Sequence, residues 1–274
     1  MNRKHVAAWA LYDFANSVYP AVITTAVFSV YYAQEIVGNA AGAGDLWWTR
    51  VIWVSVILVA LSSPLLGSVA DLAGIRKRML FIYTCFCVAS VSLFVTLEPG
   101  MVLWGFFLAV LANIGFEGAL VYYNAYLPDI APSGKQGFVS GLGFGVGYAG
   151  SIAGLLIALP LVMRGQYDLT WLSVAVFFAL FSIPAFLFLP KDSPGKKTVV
   201  QAALDGFTGF RHLVGEVLRE RALRRFLLAF FFYIDGAPVR TFIISGDNPP
   251  FPVEMGTVQH LTQRSKDQWG QSVM

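Results

Sequence analysis

The chain has 274 residues, of which 57% are hydrophobic, 15% aromatic and only 13% charged, with a mean hydropathy of +0.64. A soluble domain carries about 25% charged residues, so a water-facing globular surface is excluded, and the formal charge of +3 matters less than where the charges fall. The two cysteines, Cys85 and Cys87, share one apolar stretch, and His5, His212 and His260 are scattered. No disulfide framework or zinc site is implied, and no metal, cofactor or nucleic-acid partner is expected.

The charged residues mark out uncharged intervals at 14–34, 51–70, 79–97, 99–116, 136–163 and 169–190, of 21, 20, 19, 18, 28 and 22 residues. A helix needs about 20 apolar residues to cross a hydrocarbon core of about 30 Å. Strand alternation is absent, which excludes a β-barrel. The intervals predict an all-α integral membrane protein with six transmembrane helices, at about 8–33, 50–70, 79–97, 101–127, 138–163 and 169–189. The first is not a cleaved signal peptide: its apolar stretch runs to Ala33 and contains Asp13, Asn16 and Pro20, too long and too polar for such a segment.

After the six-helix part (1–190) comes a charged segment, 191–225, in which Leu204, Phe207, Phe210, Val214 and Val217 recur at helical spacing. An amphipathic surface helix and a solvated linker both fit it. A seventh apolar run opens at Phe226 and stops at Asp235, too short to span. The tail 236–274 has loop composition.

With the N-terminus placed in the cytoplasm, 14 Lys and Arg fall on inside segments and only Arg50 and Arg164 on outside loops. The positive-inside rule therefore predicts a cytoplasmic N-terminus, with the lipid bilayer as the first partner.

Ionisable residues within spans are costly and usually mark function. Asp13 lies in the first helix, with Asn16, Ser17 and Thr24 on its face and Tyr12 and Tyr19 flanking it. Pro20 removes one backbone hydrogen bond there and bends the helix. Glu117 lies in the middle of the fourth helix, with Asn113 and Asn124 on its face and Tyr123 nearby. Two polar stripes predict a water-filled cavity that binds a polar solute, in which Glu117 or Asp13 carries a proton or pairs with substrate charge. Structural carboxylates bonded to neighbouring helices are the alternative.

The loop Gly67-Ser-Val-Ala70-Asp71-Leu-Ala-Gly74-Ile-Arg76-Lys77-Arg78 joins the second and third helices. Gly74 suits a positive φ, and Asp71 is placed to cap a helix or pair with Arg76. Gly145-Val-Gly147-Tyr-Ala-Gly150 fits a dinucleotide-binding pattern but lacks the strand and βαβ unit that pattern needs. Gly141, Gly143, Gly145, Gly147, Gly150 and Gly154 instead predict close helix packing.

On Gly67, Ala70, Asp71, Gly74 and Arg76, the loop resembles the helix 2–3 loop of major facilitator superfamily transporters, with Leu72 and Ile75 standing where basic residues are usual. Three stretches resemble the autophagy-related vacuolar amino-acid effluxers and their bacterial relatives. They are Trp9-Ala-Leu-Tyr-Asp13-Phe-Ala-Asn16-Ser-Val-Tyr19, Tyr122-Tyr-Asn124-Ala-Tyr-Leu-Pro128-Asp129 and Ser140-Gly-Leu-Gly-Phe-Gly-Val-Gly147-Tyr148-Ala-Gly150.

The resemblance implies two six-helix halves, each of two inverted three-helix repeats, rocking about a midplane site, and a gating role for Gly67, Asp71, Gly74 and Arg76. It ends near Ile234-Asp235-Gly236, so the chain is read as the N-terminal half, with a truncated or shifted reading frame expected near residue 236. The functional expectation is a secondary transporter of a small polar solute, an amino acid by resemblance, in a bacterial inner membrane. It would work with a second half-chain or as a dimer. The rival is a non-transporting membrane scaffold or remnant. An enzyme is not expected, since no nucleophile–base pair is visible.

Overall fold

The computed structural model describes residues 2–192 and, beyond them, 195, 198, 201, 202, 204, 215, 219–221, 224 and 225. The chain divides into a unit of Met1–Phe210 and a unit of Arg211–Met274, and the helical bundle lies in the first. The expected amphipathic segment, apart from isolated positions, and the seventh apolar run and tail lie outside the described residues.

Six helices are long and apolar enough to cross a membrane: α1 (Arg3–Val37), α2 (Ala40–Ala73), α3 (Arg76–Thr96), α4 (Val102–Ile130), α5 (Ser133–Val162) and α6 (Tyr167–Phe188). No strand occurs among the described residues. Large apolar side chains such as Trp53, Phe86, Leu103, Phe107 and Val176 are exposed around the bundle, a surface suited to hydrocarbon rather than water. Of the two cysteines, Cys87 is buried and Cys85 is exposed.

The helices pack in a pattern with its own symmetry. α1 packs on α5 and α6, α4 packs on α2 and α3, and α3 packs on α6. Exchanging α1 with α4, α2 with α5 and α3 with α6 leaves these partnerships unchanged. Helices α1 and α4 cross in opposite directions, so the exchange turns the bundle upside down, as two inverted three-helix repeats require.

Loop geometry repeats the symmetry. α2 ends at Gly74 (φ +64) and the Ile75 N–H returns to the Ala70 carbonyl at 2.9 Å. α5 ends the same way at Gly165 (φ +69), with the Gln166 N–H on the Leu161 carbonyl at 2.9 Å. Both are Schellman endings, which need a left-handed residue that only glycine adopts without strain.

Aromatic rings fill the centre. Phe28 of α1 stacks on Phe94 of α3 at 3.8 Å and meets the edge of Trp171 of α6 at 5.2 Å. All three are fully buried. Interlocked rings of this kind hold helices together in lipid, where packing replaces the hydrophobic drive.

Helix α1 is not uniform. Asn2 caps its start, its side chain accepting the Lys4 N–H at 3.0 Å. Regular α-helix runs to Asn16. A π-helical stretch follows at Tyr19–Ala26, the backbone breaks at Val27 (φ −123, ψ −61), and a second π-helical stretch covers Tyr32–Val37. Pro20, with no N–H to give, sits at the start of the first π stretch. π-turns concentrate at functional sites.

Candidate solute cavity and loop site

A cavity of about 350 Å³ lies between α1, α4 and α5. Trp9, Asp13, Asn16, Ser17 and Pro20 line it from α1, Phe116, Leu120, Tyr123 and Asn124 from α4, and Ser140, Phe144, Gly147, Tyr148 and Ser151 from α5. Glycines of α5 make it possible. A Cβ at Gly147 would lie 2.8 Å from Ser17 Oγ and 3.0 Å from Asp13 Oδ2, and one at Gly143 would lie 2.5 Å from the Trp9 ring. Added atoms at Gly150 and Gly154 would strike the Phe14 backbone and Val18. Of the six glycines in this stretch, Gly141 and Gly145 face open space instead.

The wall opposite is fixed by aromatic and hydrogen-bonded contacts. Trp9 stacks on Tyr123 at 4.5 Å, and its Nε1 donates to the Tyr123 carbonyl at 3.0 Å. Ser151 Oγ donates to the Ser17 carbonyl at 3.1 Å. Four polar side-chain atoms are buried without a partner among the described residues, and two of them, on Asn16 and Tyr123, belong to residues that line this cavity, the others being the Tyr126 hydroxyl and Trp171 Nε1. Asn16 is 3% exposed with its Nδ2 unmatched, and Tyr123 is 3% exposed with its hydroxyl unmatched. A buried unsatisfied donor costs about 1–3 kcal/mol. Phe144 and Tyr148, 67% and 71% exposed, leave one side of the cavity uncovered by α1–α6.

The other expected site residues are spread over different neighbours. Tyr12 points away from the cavity into the core. Thr84 gives its hydroxyl proton to the Leu80 carbonyl at 2.8 Å, so the 2.7 Å contact between the two hydroxyls is a donation from Tyr12. Tyr19 stacks on Phe116 at 4.8 Å, behind the cavity wall. Thr24 bonds back to the Pro20 carbonyl at 3.0 Å and does not line the cavity. Asn113 donates to Ser55 Oγ at 3.0 Å and thereby ties α4 to α2. Glu117 is half-buried on the same face of α4 as the lining residues Leu120 and Asn124, but is outside the lining itself. Its Cα is roughly 10 Å along the axis from that of Asn124, seven residues on.

The loop between α2 and α3 borders a second cavity, of about 550 Å³. Arg76 organises it. Its Nε donates to Asp71 Oδ1 at 2.9 Å, and its Nη1 to Asp129 Oδ2 at 2.7 Å and the Ala125 carbonyl at 3.2 Å. A Cβ at Gly67 would make only ordinary contact with Val121 of α4, so the approach of α2 to α4 does not depend on a glycine there. The start of α3 is capped by Asp192 rather than by Asp71. The Lys77 and Arg78 N–H groups donate to its two oxygens at 2.7 and 3.3 Å, while Lys77 Nζ reaches the Leu189 carbonyl at 2.8 Å. Among the described residues, no group of three or more His, Cys, Asp or Glu is placed to hold a metal ion.

The family model of the Major Facilitator Superfamily matches residues 6–261, past the point near Gly236 where the resemblance was expected to end. A Bacillus subtilis (strain 168) protein described as the uncharacterized MFS-type transporter YxiO is 33% identical over 248 residues, covering 85% of this chain and 57% of its own length. An uncharacterized protein of Aquifex aeolicus (strain VF5) is 23% identical over 185 residues, 66% of this chain and 44% of its own. Autophagy-related protein 22 of Yarrowia lipolytica is 33% identical over 87 residues, 32% of this chain and 15% of its own. The chain thus spans about half the length of the first two relatives. No solved structure matches.

Proposed function

The chain belongs to the Major Facilitator Superfamily, and from that premise we propose that it is a secondary transporter of a small polar solute, working by alternating access. The observation that carries this reading is the α1–α4–α5 cavity, which Asp13 lines together with the polar residues Asn16, Ser17, Tyr123 and Asn124. An intramembrane carboxylate at a cavity is the usual mark of a solute or proton pathway. Asp13 holds substrate charge or a proton. Glu117, half-buried in the interior of α4, is the second proton-carrying candidate. Amino acids are the substrate class implied by sequence resemblance.

Arg3, Lys4, Arg76, Lys77, Arg78, Lys135 and Lys191 gather at the end of the bundle that holds the N-terminus, against Arg50 and Arg164 at the other. We place the basic end in the cytoplasm of a bacterial inner membrane. There the Asp71–Arg76–Asp129 cluster acts in gating. The exposed side of the cavity is covered by a second set of helices, from a second half-chain or a second copy.

Solute flux in proteoliposomes, with and without a proton gradient, tests the reading. Asp13→Asn is expected to lower flux more than tenfold while the protein elutes as a single folded species. Glu117→Gln is expected to abolish the response to the proton gradient. Absence of flux from folded chain, alone and with a full-length relative's C-terminal half supplied, would instead favour a non-transporting scaffold.

A further inference from the structure

Helix α1 carries a second concave face near its start. Lys4, Ala7, Ala8 and Leu11 of α1 and Pro184 and Phe188 of α6 border a groove of about 320 Å³, within the size range of small-ligand pockets. All but Lys4 are apolar. Ala7 and Ala8 leave room on the α1 side, and Pro184, inside α6, gives no N–H to the turn before it. Lys4 stands at one end of the groove, exposed and in no ion pair among the described residues.

Helix geometry sets which way the groove faces. The segment Arg3–Asn16 is regular α-helix. Lys4, Ala7, Ala8 and Leu11 share one of its faces, and Trp9, Asp13 and Asn16, which line the solute cavity, share another. At about 100° per residue the two faces are roughly 160° apart. Helices that cover the open side of the solute cavity therefore lie behind the groove, which looks toward lipid. The chain beyond α6 also leaves in another direction: Asp192 holds the Lys77 and Arg78 N–H groups of α3, and a Cβ at Gly195 would strike the Ala73 backbone of α2.

Leu11 lies about 10 Å along the helix axis from Lys4. The interfacial layer on each side of the hydrocarbon core is about 5–7 Å deep, so a groove of that length runs from headgroup level into the acyl chains. Lipid touches any apolar face of a bundle. This face differs in placing a cation where the phosphate of a lipid whose chain fills the groove would lie.

We propose that the groove holds one anionic phospholipid from the leaflet at the basic end of the bundle, with an acyl chain between α1 and α6 and the headgroup phosphate against Lys4. Basic pockets between transmembrane helices select anionic headgroups in this way, and the lysine stem lies along apolar surface while its ammonium reaches the phosphate. A zwitterionic headgroup carries its own cation and gains less. The inference rests on the placement of the bundle in a membrane and not on its transport activity.

Native mass spectrometry of the purified full chain, with phosphatidylglycerol or phosphatidylcholine of the same acyl chains added, tests this. One copy of phosphatidylglycerol is expected to stay bound, held about fivefold tighter than phosphatidylcholine, the worth of one lysine at an anionic surface. Lys4→Gln is expected to remove that preference. Ala7→Trp, at an exposed position, fills the groove and is expected to release the retained copy of either lipid while the protein elutes as before. Arg50→Gln, at the other end of the bundle, should change neither result. In nanodiscs, phosphatidylglycerol with a diazirine in its acyl chain is expected to label α1 at 7–11 and α6 near Phe188. Equal retention of the two lipids, a preference that survives Lys4→Gln, a copy still held by folded Ala7→Trp, or labelling only elsewhere would overturn the proposal. So would a cross-link from Ala7→Cys to residues 193–225, which would put the chain's own segment in the groove. Flux enters none of these readouts, so their failure leaves the transport reading standing, and absence of flux leaves the lipid site standing.

Discussion

The α1–α5 and α4–α2 contacts are counterparts under the exchange of repeats, yet they have been put to different uses. Between α4 and α2 the polar groups are spent on each other: Asn113 donates to Ser55, both buried. Between α1 and α5 the glycines draw the backbones together, one serine reaches the Ser17 carbonyl, and Asp13 and Asn16 border a cavity. Two copies of one packing plan can thus be a clamp on one side and a binding site on the other. The difference lies in whether the polar side chains find protein partners.

Substitutions can separate the two roles. The largest effect is expected from Gly150→Val, because even a Cβ there strikes the Phe14 backbone, which cannot move aside. Most of the monodisperse peak in fluorescence size-exclusion should be lost, while Gly145→Val, facing open space, should keep it. A strong Gly150→Val peak would show that α1 and α5 do not meet as described. Next, Asn113→Leu removes the α4–α2 hydrogen bond, a loss of about 1 kcal/mol in a membrane interior. That corresponds to roughly 2–4 °C in a thermal-shift assay for a domain of this size, without a change in flux. If flux fell instead while the melting temperature held, the clamp and the site would have to trade places. The smallest effect is expected at half-buried Asp192, where Ala removes a helix cap worth about 1 kcal/mol. Asn should restore most of it, since it too accepts from backbone N–H groups.

The six spans were legible because charges are excluded from hydrocarbon, so gaps between charged residues measure helices directly. The Asp13–Asn16–Ser17 stripe was legible for a related reason: helical periodicity fixes which side chains share a face. Periodicity on one helix does not say which neighbour that face meets. Asn113 and Asn124 share a stripe with Glu117, yet Asn113 bonds to α2 and Asn124 lines the cavity. The glycine stretch carried the same ambiguity. Spacing offered six small residues for packing, and the tilt of α5 against α1 uses Gly143, Gly147, Gly150 and Gly154. Asp129 and Asp192 gave no local signal, because the groups they hold are 53 and 115 residues away in the chain.

The π-helical stretch Tyr19–Ala26 has a consequence for how α1 can move. A π-turn holds one more residue than the α-turn it replaces, with poorer hydrogen-bond geometry. It is a stored surplus of chain within a helix whose two ends are anchored, at Asn2 on one side and by the Gly100 N–H on the Ile36 carbonyl on the other. Passing that surplus along by one residue rotates a local side chain by about 100° and leaves the helix ends where they were. Between the carboxylate at Asp13 and the aromatic cluster at Phe28, α1 therefore carries a gear in which residues can change the neighbour they face without any helix having to tilt.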